Sequence, residues 1–592
     1  MKKKQKRYPV PQKVVEPQLP IKRWMHVVCA FIIVAAVFVA YGNTLGNSLI
    51  WDDEFLVRDN TYIRSFSHLF DIFKSFLAVS SGNINNFYRP LQDLSYMVDH
   101  FLWGEDPFGY HLTNVLLHAA CAVLVYTLAF LVVKHWLAGF VAGLIFGVHP
   151  INTEAIAYVA GRADPLYLLF FLSSFILFIV AAGKSNVKKR AAWPYTTSII
   201  LYICAVLSKE IAVIFPAFLL LYIALFYEKG ELRKKLLRST VPFIAVTLFY
   251  IVLRKTVLDF SRAAPSFAMA EYDFISRTLT FFKAFCVYLQ LLIAPIGLHM
   301  ERTIGIAHSV FEGSAFLAFC AASGFLATAV IAYRFSKATF FAIFFFIIGL
   351  FPVSNILIPI NSFIAEHWLY MPAIGIFMLA GICVVFVVTY EKMGRSFLAI
   401  ARVIIALKLI VVLAACTYMT HQRNRDWKDE ISFFKNTIKY SPTNARLHLN
   451  FGNTYSELGQ DDKAIEEYRR AIELDSRYPE SFANIGAILL ERGQHEEAER
   501  YIDKALSIKE RFPNALYMRG LLYEKKGDFA RAEEVYLKAL SLTPNFIDCH
   551  FAIAHAYLAH SQIDKAQEHW HEVLRIAPDN KAARGFLERY SR

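Results

Sequence analysis

Hydrophobic and polar positions divide this chain into two regimes. Between about Met25 and Thr420, apolar runs near the ~20 residues needed to cross a bilayer recur at 25–43, 112–133, 136–150, 164–183, 193–208, 210–227, 241–258, 278–297, 312–333, 338–358, 368–390 and 398–420. Beyond Gln422, apolar residues alternate with charged ones at helical spacing, the pattern of amphipathic helices outside lipid. The expected fold is therefore all-α. A basic N-terminus (1–24) leads into a polytopic membrane helical bundle (25–420) of 11 or 12 spans with a long external loop at 44–111, and a helical domain (421–592) follows.

The tail repeats itself. Gly452, Gly486, Gly520 and Ala554 step by 34 residues, as do Ala464, Ala498, Ala532 and Ala566, while Gly459, Gly493 and Gly527 mark turns between paired helices. That period, with small residues where helices must approach, is the signature of tetratricopeptide repeats, an α-solenoid. It gives a half repeat at 427–440, repeats at about 444–477, 478–511, 512–545 and 546–579, and a capping helix at 580–590. Stacked pairs leave a concave groove. Asn450 and Asn484 recur at one position of its inner helices and are candidates for bonding a guest backbone; Met518 and Ala552 break that ladder.

Composition sharpens the membrane reading, because 56% hydrophobic residues and 52 Phe in 592 are too many for a soluble protein of this length. The net charge of +13 is not a nucleic-acid footprint: its positives gather at 1–23, 184–190 and 228–238, short loops that the positive-inside rule assigns to the cytoplasm. Eight cysteines without a C-x-x-C pair give no support to a disulfide framework or a zinc site. The basic start followed by Met25–Tyr41 has the form of a signal sequence. It lacks a small-residue cleavage site and is read as an uncleaved anchor. Lys283 lies mid-way along the 278–297 run. A cation there costs ~3 kcal/mol at the bilayer centre, so this run is expected to dip without crossing. Eleven crossings then place the tail outside with loop 44–111; twelve would place it in the cytoplasm. The last span also carries Lys408, a buried structural or snorkelling charge.

Chemistry-bearing residues fall on the external ends of the spans. Trp51-Asp52-Asp53-Glu54 opens the first loop, which also holds Tyr88-Arg89-Pro90 and Asp93. His149, Glu154, Arg162 and Asp164 lie between the third and fourth spans, Lys209 and Glu210 after the fifth, and Glu366 and His367 before the eleventh run. Any one of them reads as a solvated helix end. Together, carboxylates, guanidinium groups, a lysine and imidazoles on one face suit a substrate with an anionic phosphate and an acceptor that must lose a proton.

The order WDDE, YRPLQDLSY, FGYHLTNVLLHA, FGVHPINTEAIAYVAGRAD, SKE and EHWLYMPAIG resembles the transmembrane and tetratricopeptide-repeat O-mannosyltransferase family and its prokaryotic relatives, along nearly the full chain. The resemblance implies a C-type (GT-C) glycosyltransferase fold, a sugar taken from a polyprenyl-phosphate carrier at the extracytoplasmic leaflet, and an acidic motif in the first external loop, where Asp52, Asp53 and Glu54 stand. On this basis Asp52 or Asp53 is expected to take the acceptor's proton, desolvation and the neighbouring carboxylate raising its basicity. Arg89 and Arg162 are the first choices for gripping the phosphate, Lys209 and His367 the second. Glu54, His149, Glu154, Asp164, Glu210 and Glu366 would orient the sugar or support the cations. No cofactor is required; a divalent metal held by Asp52, Asp53 and Glu54 is the alternative. The acceptor is a polypeptide or assembly partner brought by the repeat groove, and the location a multi-pass cell membrane, or the endoplasmic reticulum in a eukaryote. Two rival functions stay open: a non-catalytic membrane-anchored scaffold for protein assembly, and a transporter, against which stands the placement of charges at helix ends rather than mid-span.

Overall fold

The computed structural model describes residues 22–81, 86–183, 188–256, 271–360, 362–390, 395–577 and 579–590. Most of the basic N-terminus, and parts of the basic loops at 184–190 and 391–395, lie outside the described residues. The chain forms two compact units, 1–433 and 434–592, and no strand occurs among the described residues.

Among the described residues of the first unit, six helices are long and apolar enough to cross a bilayer: Arg23–Gly46, Pro107–Val133, Val159–Gly183, Glu231–Thr256, Gly313–Tyr333 and Ser396–Trp427. A pair bent by 51°, Trp136–Val148 with Pro150–Ala157, and four shorter apolar helices bring the apolar segments to eleven. The bend falls at His149-Pro150, where the residue before proline is pushed out of helical geometry and sits extended at φ −73°, ψ 129°. Phe274–Ile293 is not among the eleven. The chain leaving it turns back alongside: the Ala307 amide donates to Thr280 Oγ1 at 3.0 Å and the Lys283 ammonium to the Gly305 carbonyl at 2.5 Å. Residues 294–309 return without a second helix, and non-helical backbone does not cross lipid.

Helix contacts in the bundle depend on small residues. Gly139, Gly143 and Gly147 lie on one face of Trp136–Val148. A Cβ on them would stand 2.6 Å from the Tyr126 carbonyl, 2.9 Å from Ile33 and 3.0 Å from Val37. A small residue at every fourth position lets the Pro107–Val133 helix approach with its backbone and the first span lay Ile33 and Val37 on the same face. The first and last spans end together, since Asn424 Nδ2 donates to the Ala40 carbonyl at 2.9 Å and Asn43 Nδ2 to that of His421 at 3.0 Å. The sequence boundary at 420 falls short of the unit boundary after Phe433. The reason is a set of bonds back to the first loop and third span: Thr420 Oγ1 to the Val148 carbonyl at 2.7 Å and the Ser48 amide to the Lys428 carbonyl at 2.9 Å.

The second unit is built of helix pairs, Ala445–Glu457 with Asp461–Leu474, Pro479–Glu491 with His495–Ile508, Pro513–Lys525 with Phe529–Leu542, and Ile547–Ala559 with Ile563–Ile576, and ends in Lys581–Tyr590. A Cβ on Gly452 or Gly520 would lie within 2.5 Å of the Tyr468 or Tyr536 ring, so only glycine permits that approach. Gly459, Gly493 and Gly527 hold φ of +67°, +73° and +76°, the left-handed turn that glycine adopts without cost.

Candidate active site

The acidic motif is pinned on three sides. Trp51 turns the chain at φ 47°, and its amide donates to Glu430 Oε1 at 3.0 Å while its ring lies 5.1 Å from that of Phe433. Asp53 is fully buried, with one oxygen accepting the Ile50 amide at 3.1 Å and the other the Ala160 amide at 2.6 Å. Burial lifts its carboxyl to about 8, against the lowering by these two amides. Asp53 therefore joins the first loop to the turn before the Val159–Gly183 span, and both its oxygens are committed. Asp52 is half-buried, and its amide donates to Tyr158 Oη at 3.1 Å. Glu54 turns away to ion-pair with Arg58 one helical turn on. The triplet thus does not converge on a point. It does not fit the metal alternative, and among the described residues no group of three or more His, Cys, Asp or Glu side chains is placed to hold an ion.

These bonds separate the roles of the two aspartates. Asp53→Ala leaves two amides without acceptors in a buried loop, a cost on the order of 1–3 kcal/mol for each. Its thermal midpoint should fall clearly in detergent, followed with a thiol-reactive dye on buried Cys29, Cys121 and Cys416. Asp52→Asn should melt with the parent.

The arginines expected to grip a phosphate are braced internally. Arg162 is wholly buried: it ion-pairs with Asp99 at 2.5 Å, donates from Nε to Asn114 Oδ1 at 2.7 Å and from Nη2 to the Tyr110 carbonyl at 2.8 Å, and lies 4.5 Å over the Tyr96 ring. No edge of it is left for a ligand. Arg89 forms a two-pronged bond with Glu210, at 3.0 and 2.7 Å, and lies 4.3 Å over Phe87. Lys209 pairs with Asp164 at 2.7 Å, both buried. These contacts tie the YRP, GRAD and SKE motifs to one another as a structural brace; the wholly enclosed Arg162 corrects its phosphate-binding assignment, and Arg89 and Lys209 stand paired with carboxylates. His149 is also structural. Its Nδ1 accepts the Ile151 amide at 3.2 Å, capping the turn after the bend, and its Nε2 donates to the Leu292 carbonyl at 3.2 Å.

A second cluster lies beside Asp52. Glu154 accepts from His367 twice, from Nδ1 at 2.6 Å and from the amide at 3.2 Å. Glu366, buried, accepts the His299 amide at 2.7 Å and Arg302 Nη2 at 3.0 Å, with Arg423 Nη2 at 3.9 Å from its other oxygen. Burial raises the Glu366 carboxyl to about 7, opposed by the two guanidinium groups. Arg423 lies 5.5 Å over Trp427, and Trp427 stacks at 5.2 Å on Tyr158, which holds the Asp52 amide. Asp52, Tyr158, Trp427, Arg423, Glu366, Arg302, Glu154 and His367 thus form one connected group. His367 and Arg302 are its more open cations, with 27% and 17% of their side chains exposed. Exposed apolar side chains flank its members in sequence: Ile293 and Ile296 just before His299, and Leu357 and Ile358 in the segment before Glu366, where Asn355 bonds the Ile360 amide and Ser362 carbonyl. Sequence reasoning missed Arg302, Arg423, Tyr158 and Trp427. The available signal was the external position of HMER and RNRDW in the eleven-crossing topology.

In the tail, Asn484 Nδ2 donates to Asn453 Oδ1 at 2.8 Å, which also accepts Tyr468 Oη at 2.9 Å. Asn484 therefore ties repeat to repeat, which corrects its assignment to a guest. Asn450 stands half-buried one repeat earlier.

Fold and site define a multi-pass membrane protein with charged groups gathered at the ends of its helices, followed along the chain by a tetratricopeptide array. Family models described as "TPR repeat" and "Tetratricopeptide repeat" match residues 452–493 and 478–545. The chain is a relative of the transmembrane and tetratricopeptide-repeat O-mannosyltransferases. It is 25% identical over 76% of its length to Protein O-mannosyl-transferase F38B6.6 of Caenorhabditis elegans, and 26% identical over 75% of its length to Protein O-mannosyl-transferase TMTC3 of Homo sapiens. It covers 63% and 51% of those two proteins. Among solved structures, that of MamA is 25% identical over 27% of this chain and 86% of its own, with a TM-score of 0.22.

Proposed function

We propose that this protein is an integral-membrane glycosyltransferase of the GT-C kind, moving a sugar from a polyprenyl-phosphate carrier to an acceptor hydroxyl at the extracytoplasmic face. The observation that carries the reading is the linkage of half-buried Asp52, through Tyr158 and Trp427, to the Arg302–Glu366–Arg423 group, together with the Glu154–His367 pair and the exposed apolar side chains that flank these residues in sequence and suit a lipid tail. Asp52 accepts the acceptor's proton as its oxygen attacks the anomeric carbon. The bond from that carbon to the phosphate oxygen breaks, and Arg302, Arg423 and His367 stabilise the departing polyprenyl phosphate. Asp53 holds the loop that aims Asp52. No step runs through a metal. The acceptor is a polypeptide recruited by the tetratricopeptide tail, which stands on the reaction side, and the names of the relatives favour mannose as the sugar.

Purified full-length protein in proteoliposomes tests this, with labelled mannose offered on polyprenyl phosphate or on a nucleotide. The lipid-borne sugar is transferred and the nucleotide sugar is not. A non-catalytic scaffold would transfer neither.

Glu366 gives the reaction a pH dependence of defined sign. Above about pH 7 its carboxylate holds both guanidinium groups; below, the protonated acid releases them to the donor phosphate. The donor is a phosphodiester whose charge does not change in this range. Its KM should therefore fall as pH drops from 8 to 6, and Glu366→Gln should give a low, flat profile. A donor KM that keeps its slope in this variant contradicts the assignment.

A further inference from the structure

The tetratricopeptide tail holds a second recognition site, independent of the transfer chemistry. On the inner helices of the third and fourth repeats, Tyr517, Leu521 and Glu524 face Asp548, Phe551 and His555 across a cavity of about 430 Å³. Glu491, from the preceding inner helix, joins Glu524 and Asp548 in acting electrostatically on Tyr517. Several carboxylates of the tail are neutralised across repeats, as in Lys526–Glu499 at 2.7 Å, Lys565–Glu533 at 3.2 Å and Lys538–Glu510 at 3.4 Å. Glu491, Glu524 and Asp548 have no ion-pair partner among the described residues; Glu524 only accepts the Tyr536 hydroxyl at 2.6 Å. An aromatic face ringed by unneutralised carboxylates attracts a cation through both the ring quadrupole and charge. The adjacent Leu521 and Phe551 offer apolar surface that a hydrated ion alone would not use.

We propose that this groove binds a basic–apolar polypeptide segment, the ammonium or guanidinium of a Lys or Arg settling over Tyr517 among the three carboxylates and a neighbouring aliphatic side chain lying on Leu521 and Phe551. The ladder that ties repeats one and two through Asn484 and Asn453 leaves this later part of the groove as the place where a guest chain is read.

Fluorescence anisotropy with full-length protein in lipid nanodiscs tests this, using a short labelled peptide of alternating Lys and Leu, and companions with Glu in place of Lys or Gln in place of Leu. The Lys–Leu peptide binds, and both companions bind about tenfold or more weakly. Combined Glu491→Gln, Glu524→Gln and Asp548→Asn substitutions, which keep side-chain shape and the Tyr536 bond, weaken the Lys–Leu peptide by a similar factor. Asp52→Asn leaves its affinity unchanged, so loss of transfer and loss of peptide binding are separable. The inference is overturned if the Lys–Leu peptide does not bind, if the Glu–Leu peptide binds equally, or if the neutral groove variant retains full affinity. Equal binding of the Lys–Gln peptide would also overturn it, by reducing the effect to bulk charge attraction. The peptide companions decide the matter even where a groove variant folds poorly.

Discussion

Asp52→Asn lowers the turnover of sugar transfer by about 10²–10⁴, the range a general base contributes, while the protein inserts, melts and binds donor as before. The substitution is nearly isosteric. Asparagine retains the backbone amide that Asp52 donates to Tyr158 and an oxygen able to meet the Tyr158 hydroxyl, which also interacts with the Asp52 side chain. The buried anchor is Asp53, whose two oxygens hold the Ile50 and Ala160 amides. A steady-state assay beside a melting curve separates the two positions: Asp52→Asn loses rate and keeps stability, and Asp53→Ala loses both. If Asp52→Asn turned over at the parent rate, the base would have to be sought elsewhere.

The second large effect concerns the leaving group. Arg302→Gln reduces kcat by about 10²–10³, the loss typical of removing one preorganised donor to developing charge, and Arg423→Gln acts in the same direction. Arg302 already touches Glu366 and the Gly297 carbonyl, so it is oriented before substrate arrives. Arg423 is held by Asp426 at 2.9 Å and by the Trp427 face. By contrast, Arg162→Gln should act on folding, because its charge compensates Asp99 in a fully buried pair. Breaking such a pair costs about 3–5 kcal/mol. Loss of kcat with an intact melting curve at Arg302, and loss of the melting transition at Arg162, is the contrast to look for.

Much of this architecture is legible in the sequence because it is written in periodic or local terms. The 34-residue step sets the helix pairs of the tail, glycine turns included. His149-Pro150 marks the bend in its helix. Loop 44–111 was less readable. Its helix Pro90–Trp103 carries Asp99, whose only sequence trace is a carboxylate in an apolar setting. The site itself was half legible. The motifs named the right loops, yet an arginine looks the same in sequence whether it faces a ligand or a buried carboxylate. Arg89 and Glu210 lie far apart in the chain, as do Arg162 and Asp99, so that pairing appears only once the helices are assembled. For the same reason Arg302 and Arg423, in a returning loop and at the exit of the last span, carried no local mark of their meeting at Glu366.

Single-turnover transfer is the most direct test of the central claim. Full-length protein in proteoliposomes is loaded with labelled polyprenyl-phosphate mannose, mixed with acceptor, and quenched over time, for the parent and for Asp52→Asn at matched donor occupancy. The account predicts equal donor occupancy and a transfer rate at least about a hundredfold lower in the variant. Transfer at the parent rate from the loaded variant, or a defect confined to donor occupancy, would contradict it.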